Sequence, residues 1–550
     1  MEIGFFYEHQ SYKQEISHKL KKSNVQGGNQ MECKVCTECL PVTEIILDEL
    51  QEQDFTQSLV LPDYDPEIFR VICCTASASI TDYKLSGGKL SYELSVLIRV
   101  IYCSEESKAL HCVSQNAVYS KTADVPEGCD RAVYFHVKTD YQNCRATGKR
   151  RLDVRGAVSV RIRVSSERIQ EVICDIGDSD GSDNSGLQLQ QRPVTAVSEI
   201  KKVSRNINLS EDIDLGTSKP PAESILRCTA RAVQGECSVI AGKLVLRGEI
   251  IADILYRSGS SDDATVQSLH LSMCPYSQII DVEGIDETYT GTADAQMINF
   301  EAKPSGNDMK TLSCTAEVRL ICTVCKSKSV PIVTDAYSTK AGCSCESEQL
   351  KISAAPVALS EIFTCTATIG TGENAPEQIY DLHCHMKNVS ITPLSQQGKI
   401  RVCGMLCASV LAENADGSTT LLEREEAFEE LLPINIRADE MLVFASAEPS
   451  DSSYHLGADG SISIKCNVRL SGMAYPVTNM TGITGINLNP ENAPVFDRDC
   501  ALRLYYGTAG EHIWDIAKRC STKVAAVMEE NGLTGDVLTK SEMLLIPIVY

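Results

Sequence analysis

Residues 88–102 read GKLSYELSVLIRVIY, and this stretch decides the fold. After Gly88-Lys89 every second residue is apolar or aromatic: Leu90, Tyr92, Leu94, Val96, Ile98, Val100 and Tyr102. Alternate side chains of an extended chain point to opposite faces, so the pattern predicts a long strand with one face on a core. The same design returns twice. Gly242-Lys243 opens Leu244, Leu246, Gly248, Ile250, Ala252, Ile254 and Tyr256, and Gly398-Lys399 opens Ile400, Val402, Gly404, Leu406, Ala408, Val410 and Ala412. Gly248 and Gly404 stand where an apolar side chain is expected, as at a bulge or a close backbone approach.

Outward from these strands the repetition continues. Upstream, DPEIFRVICC, KPPAESILRC and NAPEQIYDLHC carry Pro66, Pro221 and Pro376, spaced 155 residues apart at both steps. A period this long marks a whole domain, not a solenoid unit. Downstream come aromatic-led segments at Tyr119-Ser120, Tyr276-Ser277 and Phe428-Glu429. A second alternating strand closes each copy: LDVRGAVSVRIRV (152–164), LSCTAEVRLICTV (312–324) and ISIKCNVRLSGMA (462–474). The chain is therefore expected to be mainly β. Three antiparallel-β repeats occupy 41–176, 192–340 and 349–484, behind an N-terminal arm over 1–40; periodicity leaves barrel and sandwich open. The Pro-acidic-x-Ile stretch has room for a short helix. DIGDSDGSDNSGLQLQQ (175–191) reads as a flexible linker, and AGCSCESE (341–348) and TGITGINLNPENAP (481–494) as the other joints.

The tail, over 500–550, has a different pattern. From Leu502 it reads LRLYYGTAGEHIWDIAKRCSTKVAAVMEENGLTGDVLTKSEMLLIPIVY. A short apolar strand (Leu502, Leu504, Tyr506) leads to two helical stretches and a last strand over Leu544–Ile548, a small βααβ module. Ser521-Thr522 is placed to cap the second helix, and Asn531-Gly532 to end it.

Composition narrows the function. The 550 residues carry a formal net charge of -23, which argues against nucleic acid or an anionic membrane as the main partner. No apolar run is long enough to span a bilayer, and the first residues lack the basic and apolar regions of a secretory signal, so a cytoplasmic location is expected. Twenty-five cysteines then read as reduced thiols, mostly small buried hydrophobes on strands. The sharpest metal candidate is Cys33, Cys36 and Cys39, but no fourth ligand is evident, and no cofactor is expected. Cys322 and Cys325 end a strand on opposite faces. Cys343 and Cys345 fall in a joint, where they could cross-link on oxidation. His383-Cys384-His385 is weak support for a nucleophile, and no phosphate-binding, dinucleotide-binding or nucleophile-elbow glycine pattern occurs, so an enzyme is not expected.

The tail resembles a LysM domain at Tyr505, Gly510 to Trp514, Ile516-Ala517, Asn531-Gly532-Leu533 and Leu544 to Pro547. The family binds N-acetylglucosamine glycans through loops that here hold Tyr506, Gly510, Glu511, His512, Ile513, Trp514, Asn531, Gly532 and Leu533. Glu511-His512 replaces the usual Asp-Thr or Asp-Ser, which puts sugar binding in doubt. Trp514 itself reads first as a helix core anchor and second as an interface residue. The long repeat resembles the SPOCS domain, and SPOCS copies before a LysM domain describe the SipL-type spore-coat morphogenesis proteins. That resemblance implies a non-enzymatic sporulation scaffold, cytoplasmic in the mother cell and placed at the forespore surface. Its LysM domain would dock a coat-basement ATPase of the SpoIVA type, with other coat proteins as further partners. The alternative is a cell-wall protein that binds peptidoglycan.

Overall fold

The computed structural model describes residues 19–21, 35–105, 109–176, 186–259, 264–371, 375–434, 436–494 and 502–548. In chain order the first repeat holds β1 (Lys19–Lys21), β2 (Val35–Val60), β3 (Arg70–Ser86), β4 (Lys89–Cys103), β5 (Leu110–Asp124), β6 (Cys129–Gly148) and β7 (Arg151–Ile176). The second holds β8 (Leu187–Asp214), β9 (Ser224–Ile240), β10 (Lys243–Ser258), β11 (Thr265–Asp281), β12 (Thr290–Ser305) and β13 (Thr311–Ser338). The third holds β14 (Gly342–Ser353), β15 (Val357–Ile369), β16 (Gln378–Leu394), β17 (Lys399–Glu413), β18 (Thr419–Pro433), β19 (Glu440–Leu456) and β20 (Ile462–Asn489). The tail comprises β21 (Leu502–Gly507), α1 (Ile513–Cys520), α2 (Val524–Asn531) and β22 (Glu542–Pro547).

The protein is mainly β, and every strand pair is antiparallel. Each repeat stacks two sheets on a common three-strand plan: β2-β7-β6, with β1 added at its edge, on β3-β4-β5; β8-β13-β12 on β9-β10-β11; and β15-β20-β19, with β14 added beside β20, on β16-β17-β18. The question of barrel or sandwich is thereby answered: a sandwich. Its core forms where the two central strands face each other. In the first repeat Leu90, Leu94, Val96, Ile98 and Val100 of β4 meet Leu152, Val154, Val158, Val160 and Ile162 of β7, all buried. Burial of each such side chain contributes roughly 1.5–3 kcal/mol, so the alternating face is enough to specify the register.

The glycines of the central strands have a direct cause. Gly248 lies opposite Tyr276, and Gly404 opposite Phe428. A Cβ at Gly248 would enter the Tyr276 ring, and one at Gly404 would crowd Phe428. The first repeat places Leu94 opposite Tyr119 instead. The aromatic-led segments thus supply the apolar surface that the glycines lack.

Two local readings are corrected. The Pro-acidic-x-Ile stretches form no helix, because their backbone donors are taken from across the fold. Ile68 N donates to Lys149 O (2.7 Å) and Phe69 N to Cys103 O (2.9 Å); Ala222 N and Glu377 N do likewise to Met309 O and Glu413 O. The joints expected at 341–348 and 481–494 are mostly strand: β14 pairs with the C-terminal part of β20, from Gly342 opposite Asn489 to Ser353 opposite Val477. Of the linker expected at 175–191, residues 177–185 lie outside the described residues, and Leu187 already belongs to β8.

Those extra pairs are arms. β2 with β7, β8 with β13 and β14 with β20 continue past their sandwiches as ribbons, the first joined at its end by β1, and these pack together through Leu40, Val172, Ala196, Val330, Ile332, Leu350 and Ile352. The sandwiches themselves close into a ring with approximate threefold symmetry. β5 contacts β9, β11 contacts β16, and β18 returns to β3. A head-to-tail contact whose rotation closes makes a ring, not a filament. At its centre Ile101, Leu255 and Leu411 meet, each thirteen residues after the glycine of its Gly-Lys pair (Gly88, Gly242, Gly398). Polar bonds follow the same circuit: Arg257 to Leu110 O and His111, Arg227 to Asp381, and Arg70 to Thr419 O.

Candidate functional site

The tail module is held by the second arm. Its own core is small: Ile513, Ile516 and Ala517 of α1, Val527 of α2, Leu538, and Leu544 and Ile546 of β22. Tyr337, at the end of β13, joins that core and donates from its hydroxyl to Thr522 O (2.6 Å). Trp514 packs edge-on against Tyr337, with ring centroids 4.9 Å apart. Its indole Nε1 donates to Asp335 Oδ2 (2.8 Å), and Lys518 Nζ reaches both oxygens of Asp335 at 2.7 Å. One turn of α1 therefore presents an aromatic donor and a cation to one carboxylate. Burial, with Asp335 next in weight, raises the Tyr337 phenol above its ordinary range, which keeps it a neutral donor.

The nine loop residues separate by role. Ile513 is core. Trp514 faces the arm. Asn531 is a staple: its amide donates to Val527 O and Leu545 O and accepts from Leu545 N (2.7 Å), tying α2 to β22. Glu511 closes the turn before α1, accepting from Thr508 N (2.8 Å) and Tyr505 OH (3.0 Å), and these bonds, the Thr508 one foremost, hold its carboxyl below the usual range. Leu533 is half-buried against the module core. Gly532 (φ +62°) ends α2 in the left-handed region and Gly510 (φ +93°) turns the loop; both are exposed, as is His512. Tyr506 is 70 % exposed.

One helix cap differs from expectation. Ser521 (φ +53°) ends α1 in the left-handed region, and Thr522 Oγ1 donates to Pro547 O (2.6 Å). The residue before α2 is Lys523, without a side-chain cap.

An outward stripe adds to the exposed loop residues. Leu502, Leu504 and Tyr506 on β21 and Met543 on β22 are all exposed, with Tyr506 directly opposite Met543. The alternation of Leu502, Leu504 and Tyr506 was visible in the sequence, but in a two-stranded sheet the other face, with Tyr505 and Leu544, is the one that meets the helices.

Residues 221–304 match a protein-family model described as SipL, SPOCS domain. The match spans β9 to β12 of the second repeat. It connects the chain with a non-enzymatic, sporulation-associated family. No curated protein and no solved structure matches the chain. No helix among the described residues is long and apolar enough to cross a membrane.

The remaining candidates are dispersed. Cys33 lies outside the described residues, and Cys36 and Cys39 sit three apart on β2, which turns them to opposite faces. Among the described residues no three His, Cys, Asp or Glu side chains converge as a metal site. Strand alternation splits the triplet on β16. Cys384 turns into the third core, whereas the side chains of His383 and His385 face a chamber of about 2000 Å³ that all three repeats border and that opens to solvent. Glu448 and Asp294 share that chamber; the walls restrict their solvation, which raises the pKa of both carboxyls and lowers that of the His383 imidazole, although Glu448 keeps contact with solvent. Below it Tyr134, Tyr475 and Thr323, one from each repeat, join hydroxyl to hydroxyl at 3.0 Å.

Proposed function

We propose that the chain is a non-enzymatic sporulation scaffold that tethers the assembling spore coat to the forespore surface. In this reading the ring is a rigid platform, and the LysM-like module on its second arm docks a coat-basement ATPase of the SpoIVA type. The observation that carries it is the SPOCS match over residues 221–304, set within three repeats of one architecture. The seating of Trp514 supports a protein ligand over a glycan. Its indole is committed to Asp335 and Tyr337, while the stripe of Leu502, Leu504, Tyr506 and Met543, next to Gly510 and His512, stays open. Exposed apolar stripes rimmed by polar loops are typical of protein contacts.

The test is retention of the purified coat-basement ATPase by the full chain. Leu504→Ser with Tyr506→Ser should abolish retention while thermal stability stays within about 0.5 kcal/mol of the parent, as for exposed positions. Undiminished retention by that variant, or saturable pelleting of the chain with peptidoglycan, would remove the proposal.

A further inference from the structure

Cys343 and Cys345 lie two residues apart on β14, so their side chains share one face of the strand. Their sulfurs are 4.0 Å apart, and both thiols reach the carbonyl of Ala336, at 3.9 and 3.4 Å. Ala336 is the residue between Asp335 and Tyr337. Its own side chain points inward among the arms, with Ile173, Leu187 and Val333, and the two thiols pack on that cluster. The thiol pair therefore holds the inner side of the strand segment whose outer side holds the module. Both cysteines are half-buried, not sealed in a core.

We propose that Cys343 and Cys345 form a reversible redox site that accepts a low-molecular-weight disulfide as oxidant and, once oxidised, loosens the module from the second arm. Cys345 attacks first. The neighbouring Cys343 thiol brings the Cys345 thiol down to about 7 against the opposing effect of burial, so near neutral pH Cys345 exchanges between a donor to Ala336 O and a thiolate, and the thiolate attacks. The thiolate displaces one small thiolate from the oxidant and leaves a mixed disulfide on Cys345. Cys343 then gives up its proton to solvent and attacks the Cys345 sulfur, and the second small thiolate leaves. Two protein thiols and one small disulfide become one protein disulfide and two small thiols.

The consequence for the arm follows from geometry. Disulfides span Cα atoms up to about 6.8 Å apart. Two residues of strand cover about 6.6 Å, at the edge of that range, so closure pulls β14 out of its flat pairing with Leu488 and Ile486. The disulfide also has no S–H to donate, and the Ala336 carbonyl loses both thiol contacts. A bridge strained in this way is easily reduced again, which suits a switch more than a staple. The site stands whatever the module binds, because its test involves the chain alone.

The full chain is incubated with oxidised glutathione at graded thiol–disulfide ratios, alkylated and digested with trypsin. Both cysteines fall in the single peptide 341–351, AGCSCESEQLK. That peptide should lose two hydrogens in mass before the exposed Cys39 takes up glutathione. Acrylamide quenching of Trp514 should rise in parallel, toward the level of a Tyr337→Ala chain. Cys345→Ser should prevent both changes, and Cys343→Ser should stop at the mixed disulfide on Cys345. A peptide that stays reduced while Cys39 is modified would overturn the proposal. So would a bridge that forms without any change in Trp514 quenching.

Discussion

The three arms are built alike, yet only the second carries the module. Each has a bulge on its C-terminal strand, at Cys174, Thr334 and Thr484, where the register shifts by one residue. The residue after the bulge is Asp175 in the first arm, Asp335 in the second and Gly485 in the third. Two positions on stand Gly177, Tyr337 and Asn487. An aspartate at the bulge is therefore not sufficient. The second arm alone combines it with a tyrosine, and the aromatic supplies the apolar surface while the carboxylate fixes orientation. A repeat protein of approximate threefold symmetry has in this way acquired one unique position without altering its backbone plan.

The largest effect should come from Tyr337→Ala. It removes a buried ring and its bond to Thr522 O, and truncations of this size cost about 3–5 kcal/mol. The loss should appear as detachment of the module, seen as protease sensitivity between the arms and β21, with the sandwiches intact. Asn531→Ala should cost about 2–3 kcal/mol, since it deletes two hydrogen bonds between α2 and β22 and a third within α2. Its mark is different: the module melts, and Tyr337 keeps its place on the arm. Asp335→Asn preserves an acceptor for Trp514 but discards the charge facing Lys518, a half-exposed pair worth about 0.5–1 kcal/mol. The same exchange at Asp175 should leave the module unaffected, and equal effects at the two positions would break the distinction between the arms.

The last effect emerges only in acid and concerns the ring. His111 accepts from Arg257 across the first seam, and burial, with the Arg257 cation second, lowers its pKa to about 4. An unfolded histidine titrates near 6.5, about two units higher, so the fold binds the neutral ring. Stability from this site is whole above about 6.5 and declines as pH falls toward 4. A His111→Gln chain should lose that slope in thermal melts across the same interval.

Much of this architecture was legible in the chain. Alternation at Leu90 to Tyr102 and in its two copies gave the central strands, and Gly248 and Gly404 announced close approaches. What the alternation hid lay on the opposite parity. Ile101, Leu255 and Leu411 interrupt the polar face at one register in all three copies, and that coincidence was the available signal for ring closure. The arms were harder to see, because Gly and Ser in AGCSCESE and TGITGINLNPENAP resemble a linker, although each segment supplies the other's hydrogen-bond partners. In the tail, Trp514 was readable as important, but its partners Asp335 and Tyr337 lie more than 170 residues away, beyond any local pattern. Asn531 looked like a loop contact and is a staple, since the amide that would reach a ligand is saturated by Leu545.

The seat of the module is the claim on which the rest depends, and the single tryptophan makes it measurable. Acrylamide quenching of Trp514 should be weak in the full chain, where Tyr337 and Asp335 cover the indole, and should increase sharply in Tyr337→Ala at equal folded fraction. Equal quenching in the two chains would mean that Trp514 is open in both, and would contradict the account.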